Sequence, residues 1–321
     1  MLGRGVRGQK SEVRPAPRIK RGADSAGSKQ GSDKIHFNKV AIIGVGLIGG
    51  SLAIILREKG VAKNIVGIGR GLKNLKTAKK LDVVDEYTQD VKEGVKDCDL
   101  VVAAIPVASI ARVIKEALPS LKKGAIVTDV GSVKKNIVDE IGKILPDTIH
   151  FIAGHPIAGT ENAGVEAAFP ALFQNRRCIL TPTKNTNKTA LEKVKKIWEI
   201  AGSEVILMDA EKHDKILAAV SHLPHVVAYC LVNTVSSIND FNESLVKYSA
   251  GGFKDFTRIA SSPSEMWRDI CLLNKDAILD VIRRFQNTLK GLEEMIKDSD
   301  GEGLQKEFEK AKEVRDGLKK G

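Results

Sequence analysis

The chain has 321 residues, 42% hydrophobic and 28% charged, enough to bury a sizeable core in two domains of ordinary size. No run approaches the roughly 20 uninterrupted apolar residues of a membrane-spanning helix, so no membrane partner is expected. Cys98, Cys178, Cys230 and Cys271 form no Cys-x-x-Cys pair, which excludes a zinc module, predicts no metal and favours a reducing, cytoplasmic compartment.

The net charge of +11 suggests nucleic acid at first, but its distribution argues otherwise. Residues 1–36 hold nine Lys and Arg against three acids, a net +6, leaving +5 for the body. That is an ordinary balance for an enzyme that handles anions. This Gly- and Ser-rich tail has no apolar period and no aromatic residue to stack on bases, so residues 1–37 read as a disordered basic tail. It lacks the apolar core of a secretory signal. A transit peptide and a start codon placed too far upstream both stay open.

From Lys39 the texture alternates. Val40–Ile43 reads as a strand, followed by a glycine-rich turn and a helix over Leu52–Lys59. Ile65–Ile68 is a strand and Leu72–Lys80 a helix. Asp99–Ala104 and Ala125–Thr128 read as fully buried strands, with helices over Ala108–Leu118 and Val133–Leu145. A strand ending at Ala153, another at Cys178–Leu180, a helix over Lys188–Ala201 and a strand at Val205–Ile206 complete the series. Strands alternating with helices at this spacing predict a parallel sheet. After Met208 the signals are helical. The expected architecture is α/β: a Rossmann-like dinucleotide-binding domain over residues 38–209, then an all-helical domain over 210–321.

Gly44-Val45-Gly46-Leu47-Ile48-Gly49 follows a strand and opens a helix, the context a dinucleotide fingerprint requires. Gly44 permits the turn, Gly46 lets a pyrophosphate approach the backbone, and Gly49 lets helix pack on strand. The cofactor expected is NAD or NADP. An acid usually ends the second strand and holds the ribose 2′-hydroxyl, but here Gly69 and Arg70 stand there, with Lys73 and Asn74 behind. Arg70 suits a 2′-phosphate or adenine stacking, or is a solvated loop cation.

Three segments fall where such a domain displays its chemistry, at strand ends. They are Ala104-Ile105-Pro106-Val107, Thr128-Asp129-Val130-Gly131-Ser132-Val133-Lys134, and Gly154-His155-Pro156-Ile157-Ala158-Gly159-Thr160-Glu161. Ile105 and Pro106 border the cofactor. A histidine held rigidly between Gly and Pro faces a cleft rather than a core. Ser132 is placed either to cap the helix after it or to serve the site, and the two are compatible.

With Ser221-His222-Leu223-Pro224-His225, the run Gly251–Ala260 and Trp267, these motifs resemble the prephenate/arogenate dehydrogenase family of tyrosine biosynthesis over residues 39–290. The resemblance implies an NAD(P)-dependent oxidative decarboxylation of prephenate to 4-hydroxyphenylpyruvate, with arogenate as the alternative substrate, in a homodimer. By resemblance His155 is the general base on the C4 hydroxyl, and Ser132 holds that hydroxyl and helps fix the His155 tautomer. Arg258 binds a carboxylate, His225 and Trp267 shape the pocket, and Glu161 gates it. The bland alternatives are a solvated Glu161, a Trp267 in helix core, and a packed or capping His222. His213, His150 and His36 belong to no motif and read as surface or core. A β-hydroxyacid-type dehydrogenase fits the strand-end histidine less well, and a non-catalytic dinucleotide-sensing regulator has no helix-turn-helix to support it.

Overall fold

A computed structural model describes residues 35–160, 162–238 and 244–318. Residues 1–34 of the basic tail and Glu161 therefore lie outside the described residues, and the tail ends sooner than expected, because Phe37 is buried as the first residue of a strand. Six parallel strands form the first sheet in the order β3-β2-β1-β4-β5-β6. They are β1 (Phe37–Ile43), β2 (Ala62–Ile68), β3 (Glu86–Thr88), β4 (Leu100–Ala103), β5 (Ile126–Asp129) and β6 (His150–Ile152). The helices between them are α1 (Leu47–Glu58), α2 (Leu72–Lys80), α3 (Val91–Val95), α4 (Val107–Ala117) and α5 (Lys135–Gly142). β4 and β5 are buried at every position, as a parallel sheet covered on both faces demands. The order reverses between β1 and β4, and such a sheet binds its ligand in the crevice at that switch point.

At Ala153 the chain leaves this sheet. β7 (Gly154–Pro156) pairs antiparallel with β8 (Arg177–Leu180), which runs parallel to β9 (Glu204–Leu207), and α6 (Lys188–Ile200) fills the connection. His155 thus lies within a short strand opposite Ile179, rather than in a loop after one. The cause is local. β5 ends at Asp129, whose side chain takes the Gly154 N–H, so the sixth strand stops pairing and the chain turns.

The remainder is helical: α7 (Ala210–Leu217), a π-helical turn at Ala218–His222, α8 (Leu223–Ser237), α9 (Gly251–Thr257), α10 (Ser264–Leu273), α11 (Lys275–Lys297) and α12 (Gly301–Gly317). Pro224 has no N–H for the carbonyl four residues back, and the helix widens just before it. The continuous run 210–237 has an apolar window of mean hydropathy 1.5 and, by length and composition alone, is long enough to cross a membrane. Its polar residues His213, Asp214 and His222 are nonetheless buried in protein. Ala218, Trp267, Ile270 and Ile278 join Val107, Ile110, Val133 and Ile137 in one apolar cluster, so the helices dock directly on the α4/α5 face.

Candidate active site

The glycine loop fits a dinucleotide. Gly44 has φ +93°, and a Cβ there would collide with the Ala104 carbonyl and with the Ile105 side chain, which borders the loop. Gly49 is equally closed, against the Gly44 carbonyl and Ala104. Gly46 differs: nothing lies within 4 Å of where its Cβ would be, so the backbone is open to an incoming group. No side chain caps α1, and its first N–H groups, from Leu47 and Ile48 onward, are left for a phosphate. Pro106 is exposed at the head of α4. Asn74 ties the loop down from the side, donating to the Val45 carbonyl at 2.7 Å and accepting from the Val165 N–H at 3.1 Å.

On the opposite wall, β5 delivers Asp129 and the turn after it delivers Lys134, an ion pair with neither side chain exposed. Asp129 also accepts from the N–H groups of Gly131 (2.8 Å) and Gly154 (3.1 Å), while Lys134 Nζ donates to the Gly154 carbonyl at 2.9 Å. His155 follows at once and is partly buried.

That ring is the head of a chain. His155 Nδ1 lies 2.9 Å from His213 Nε2, and His213 Nδ1 lies 2.7 Å from Asp214 Oδ1. A carboxylate only accepts, so His213 Nδ1 carries a hydrogen. With the other His213 nitrogen as acceptor, His155 Nδ1–H donates to it and His155 Nε2 keeps a lone pair. Asp214 is itself fixed, accepting from the backbone N–H groups of Lys134 (2.8 Å) and Lys135 (2.9 Å) at the start of α5. Burial, then the nearby His213, Lys134 and His222, hold the His155 pKa well below the ordinary histidine range. The ring is therefore neutral at neutral pH.

A second cluster comes from the helices. His225 stacks on Trp267 with ring centres 3.7 Å apart, and His222 meets the same indole edge-on at 6.0 Å. Arg258, exposed at the end of α9, is close enough for its charge to help lower the His225 pKa, behind the larger effect of burial. His222 is almost fully buried. Asn274 Nδ2 donates to its Nδ1 at 3.1 Å and to the Asp214 carbonyl at 2.9 Å, tying this cluster to the first. Burial pushes the His222 pKa down to about 4, against the pull of Asp214.

The structure thus draws Arg258, His225 and Trp267 into one group, and His155 into another joined to it. Ser132 sits half-buried in the turn after β5, and the expectation that it caps the following helix fails. The helix begins at Lys135 and is capped by Asp214, so Ser132 is not its N-cap. The partner of His155 Nδ1 is His213. His213 is core, as its lack of a motif suggested, but it is core with a task. Arg70 is exposed at the end of β2, its carbonyl accepting from Gln89 Nε2 at 2.5 Å.

A switch-point crevice with an open glycine loop on one side and a half-buried neutral histidine on the other defines a nicotinamide-dependent dehydrogenase with a helical partner segment. Residues 52–207 match the family model for the prephenate dehydrogenase nucleotide-binding domain, and residues 209–310 that for the prephenate dehydrogenase dimerization domain. The chain belongs to the prephenate dehydrogenase family. It is 37% identical over 280 residues to a prephenate dehydrogenase of Bacillus subtilis, covering 87% of this chain and 76% of that one. It is 38% identical over 286 residues to a cyclohexadienyl dehydrogenase of Zymomonas mobilis, covering 88% and 97%. A crystal structure of prephenate dehydrogenase from A. aeolicus in complex with hydroxyphenyl propionate and NAD+ superposes with a TM-score of 0.84 at 38% identity, covering 89% and 100%.

The buried histidines make stability pH-dependent. A histidine kept neutral by the fold binds its proton more readily when unfolded, so stability falls as pH drops. For His222 the window runs from 6.5 down to about 4 and amounts to roughly 3 kcal/mol. The urea midpoint should drop between pH 7 and pH 4.5, and His222→Gln should flatten part of that slope. An unchanged slope in the variant would mean that His222 protonates freely in the native state.

Proposed function

We propose that this chain is a prephenate dehydrogenase, with His155 as the base, and that arogenate is the alternative substrate. The observation that carries the reading is the chain from His155 Nδ1 through His213 to Asp214, at 2.9 and 2.7 Å, in a fold whose glycine loop is shaped for a dinucleotide. Gly44, Gly46, Leu47, Ile48 and Gly49 would hold the pyrophosphate, with Ile105 and Pro106 beside the rest of the cofactor. When bound, NAD or NADP supplies the acceptor for the hydride from the substrate's C4. His155 Nε2 takes the C4 hydroxyl proton as that hydride leaves; the ring carboxylate then departs as CO2, its bonding electrons completing the aromatic ring, and the oxygen takes a proton back to give the phenol. Ser132 hydrogen-bonds the same hydroxyl. Arg258 pairs with a substrate carboxylate, where a guanidinium fork suits two oxygens. The stacked His225 and Trp267 form the wall against the substrate's side chain.

The working unit is proposed to be a homodimer. α12 has no buried residue, and Leu289, Ile296, Phe308 and Val314 on α11 and α12 are each more than half exposed in a single chain. A second copy would cover them. A boundary at residues 209–210 is supported by where the two family models meet. All four cysteines are free thiols, in keeping with a cytoplasmic site.

The test of the chemistry is His155→Asn. It should turn over prephenate at least about 10²-fold more slowly with substrate KM little changed, since a general base contributes roughly 10²–10⁴. Near wild-type kcat in this variant would remove His155 from the role.

Cofactor choice rests on the end of β2. Gly69 leaves room, a Cβ there meeting only Leu75 at 3.6 Å, and Gly69 and Arg70 stand at the strand end in place of an acid. The enzyme should bind and use NADP as well as NAD. Gly69→Asp should shift the ratio of dissociation constants toward NAD by about 10- to 100-fold, the scale of setting like charges face to face. Arg70→Ala should weaken NADPH selectively in a fluorescence titration. Wild-type protein that binds no NADPH, with Arg70→Ala leaving NADH binding unaltered, would make Arg70 a solvated cation.

A further inference from the structure

The ion pair of Asp129 and Lys134 lies behind the reacting atoms, touches nothing that the reaction consumes, and is wholly buried. Stability alone does not account for it. Desolvating two charges costs several kcal/mol each, and well-packed apolar side chains in their place are often as stable or more so. What the pair does is specific in space. Asp129 Oδ1 accepts from the N–H of Gly154, and Lys134 Nζ donates to the carbonyl of the same residue. Both polar groups of the residue before His155 are therefore held by one charge pair. The position has no slack, because a Cβ on Gly154 would stand 3.1 Å from the Asp129 carbonyl and 3.2 Å from Leu180. The backbone N–H of Lys134 binds Asp214, the acid at the far end of the His155–His213 chain. One residue thus grips His155 through its backbone and, by way of Asp214, through its ring.

The groups facing His155 are His213 and Asp214 from α7, His222 from the π-helical turn, Asp129 and Lys134 from the end of β5, and Cys178 from β8. Burial holds the Cys178 thiol well above its usual range, so it carries no charge. Asp214 is engaged by His213 and two N–H groups. Lys134 is the lysine among them, a buried ammonium beside a ring that must not become a second cation.

We propose that Lys134 is a positioning residue for the dehydrogenase reaction: with Asp129 it clamps Gly154 in front of the base, and its ammonium charge opposes a positive charge on the His155 ring. The inference rests on His155 being the base, and it extends that reading to the proton-binding behaviour of the ring. Cation and clamp are separable by substitution. Asp129→Asn with Lys134→Gln removes both charges and keeps a donor and an acceptor at Gly154. Asp129→Leu with Lys134→Met removes both and provides a second neutral variant should the first not fold. Lys134→Arg keeps the charge.

The experiment is a histidine-ring NMR titration of the apoprotein, paired with the pH profile of kcat/KM. In either folded neutral variant the His155 midpoint should rise, because the lost ammonium sits on the Gly154 carbonyl next to His155 and outweighs the lost carboxylate on the Gly154 N–H, and the acid limb of kcat/KM should rise with it. In Lys134→Arg the ring midpoint should stay with wild type. A folded neutral variant whose His155 midpoint matches wild type would overturn the proposal. A midpoint that moves while the acid limb stays put would uphold the effect of Lys134 on the ring and overturn His155 as the base, so the two readings fail separately.

Discussion

The carboxylate of Asp214 is the point on which this architecture turns. It binds three hydrogens from two elements: the N–H groups of Lys134 and Lys135 at the start of α5, and Nδ1–H of His213 on its own helix. An acid at a helix N-terminus is well placed electrostatically, and here it replaces the missing side-chain cap of α5. The same contact docks the helical segment on the sheet and sets which nitrogen of His213 accepts. The shared apolar cluster around Ile110, Trp267 and Ile270 supplies the non-directional part of that docking, and Asp214 supplies its register.

Function follows from that register in a short chain of causes. A fixed His213 fixes the tautomer of His155, and burial keeps the ring neutral. The clamp at Gly154 sets where the ring sits along β7. Opposite, the glycine loop owes its shape to close contacts at Gly44 and Gly49 and its openness to Gly46. Both segments belong to one chain, the glycine loop after β1 and His155 on β7 beyond β6.

Much of this was legible from local runs. The glycine loop, the strand-end His155 and the segment bearing Arg258 are contiguous motifs whose spacing carries their meaning, and the β-α alternation gave the parallel sheet. What escaped was non-local. His213 sits 58 residues from His155, and Asp214 sits 80 from Lys134, with no flanking glycine or proline to mark either. An adjacent His-Asp pair on a helix face is indistinguishable in sequence from a solvated pair. β7 escaped because three residues ending in proline carry no alternation to read. Of the two roles open to Ser132, the cap falls away because the residue that caps α5 comes from another part of the chain.

The central claim is that Asp214, through His213, holds His155 in its basic tautomer, and Asp214→Asn tests it most directly. The amide is close in shape but leaves one acceptor oxygen for three donors, so it loosens the hold on His213 and on the start of α5, and the comparison is made on folded protein that still binds NADH. The account predicts a fall in kcat of at least about 10²-fold for prephenate oxidation, with the dissociation constant for NADH unchanged. Wild-type kcat in a folded Asp214→Asn protein would contradict it, leaving His155 to act without the chain behind it.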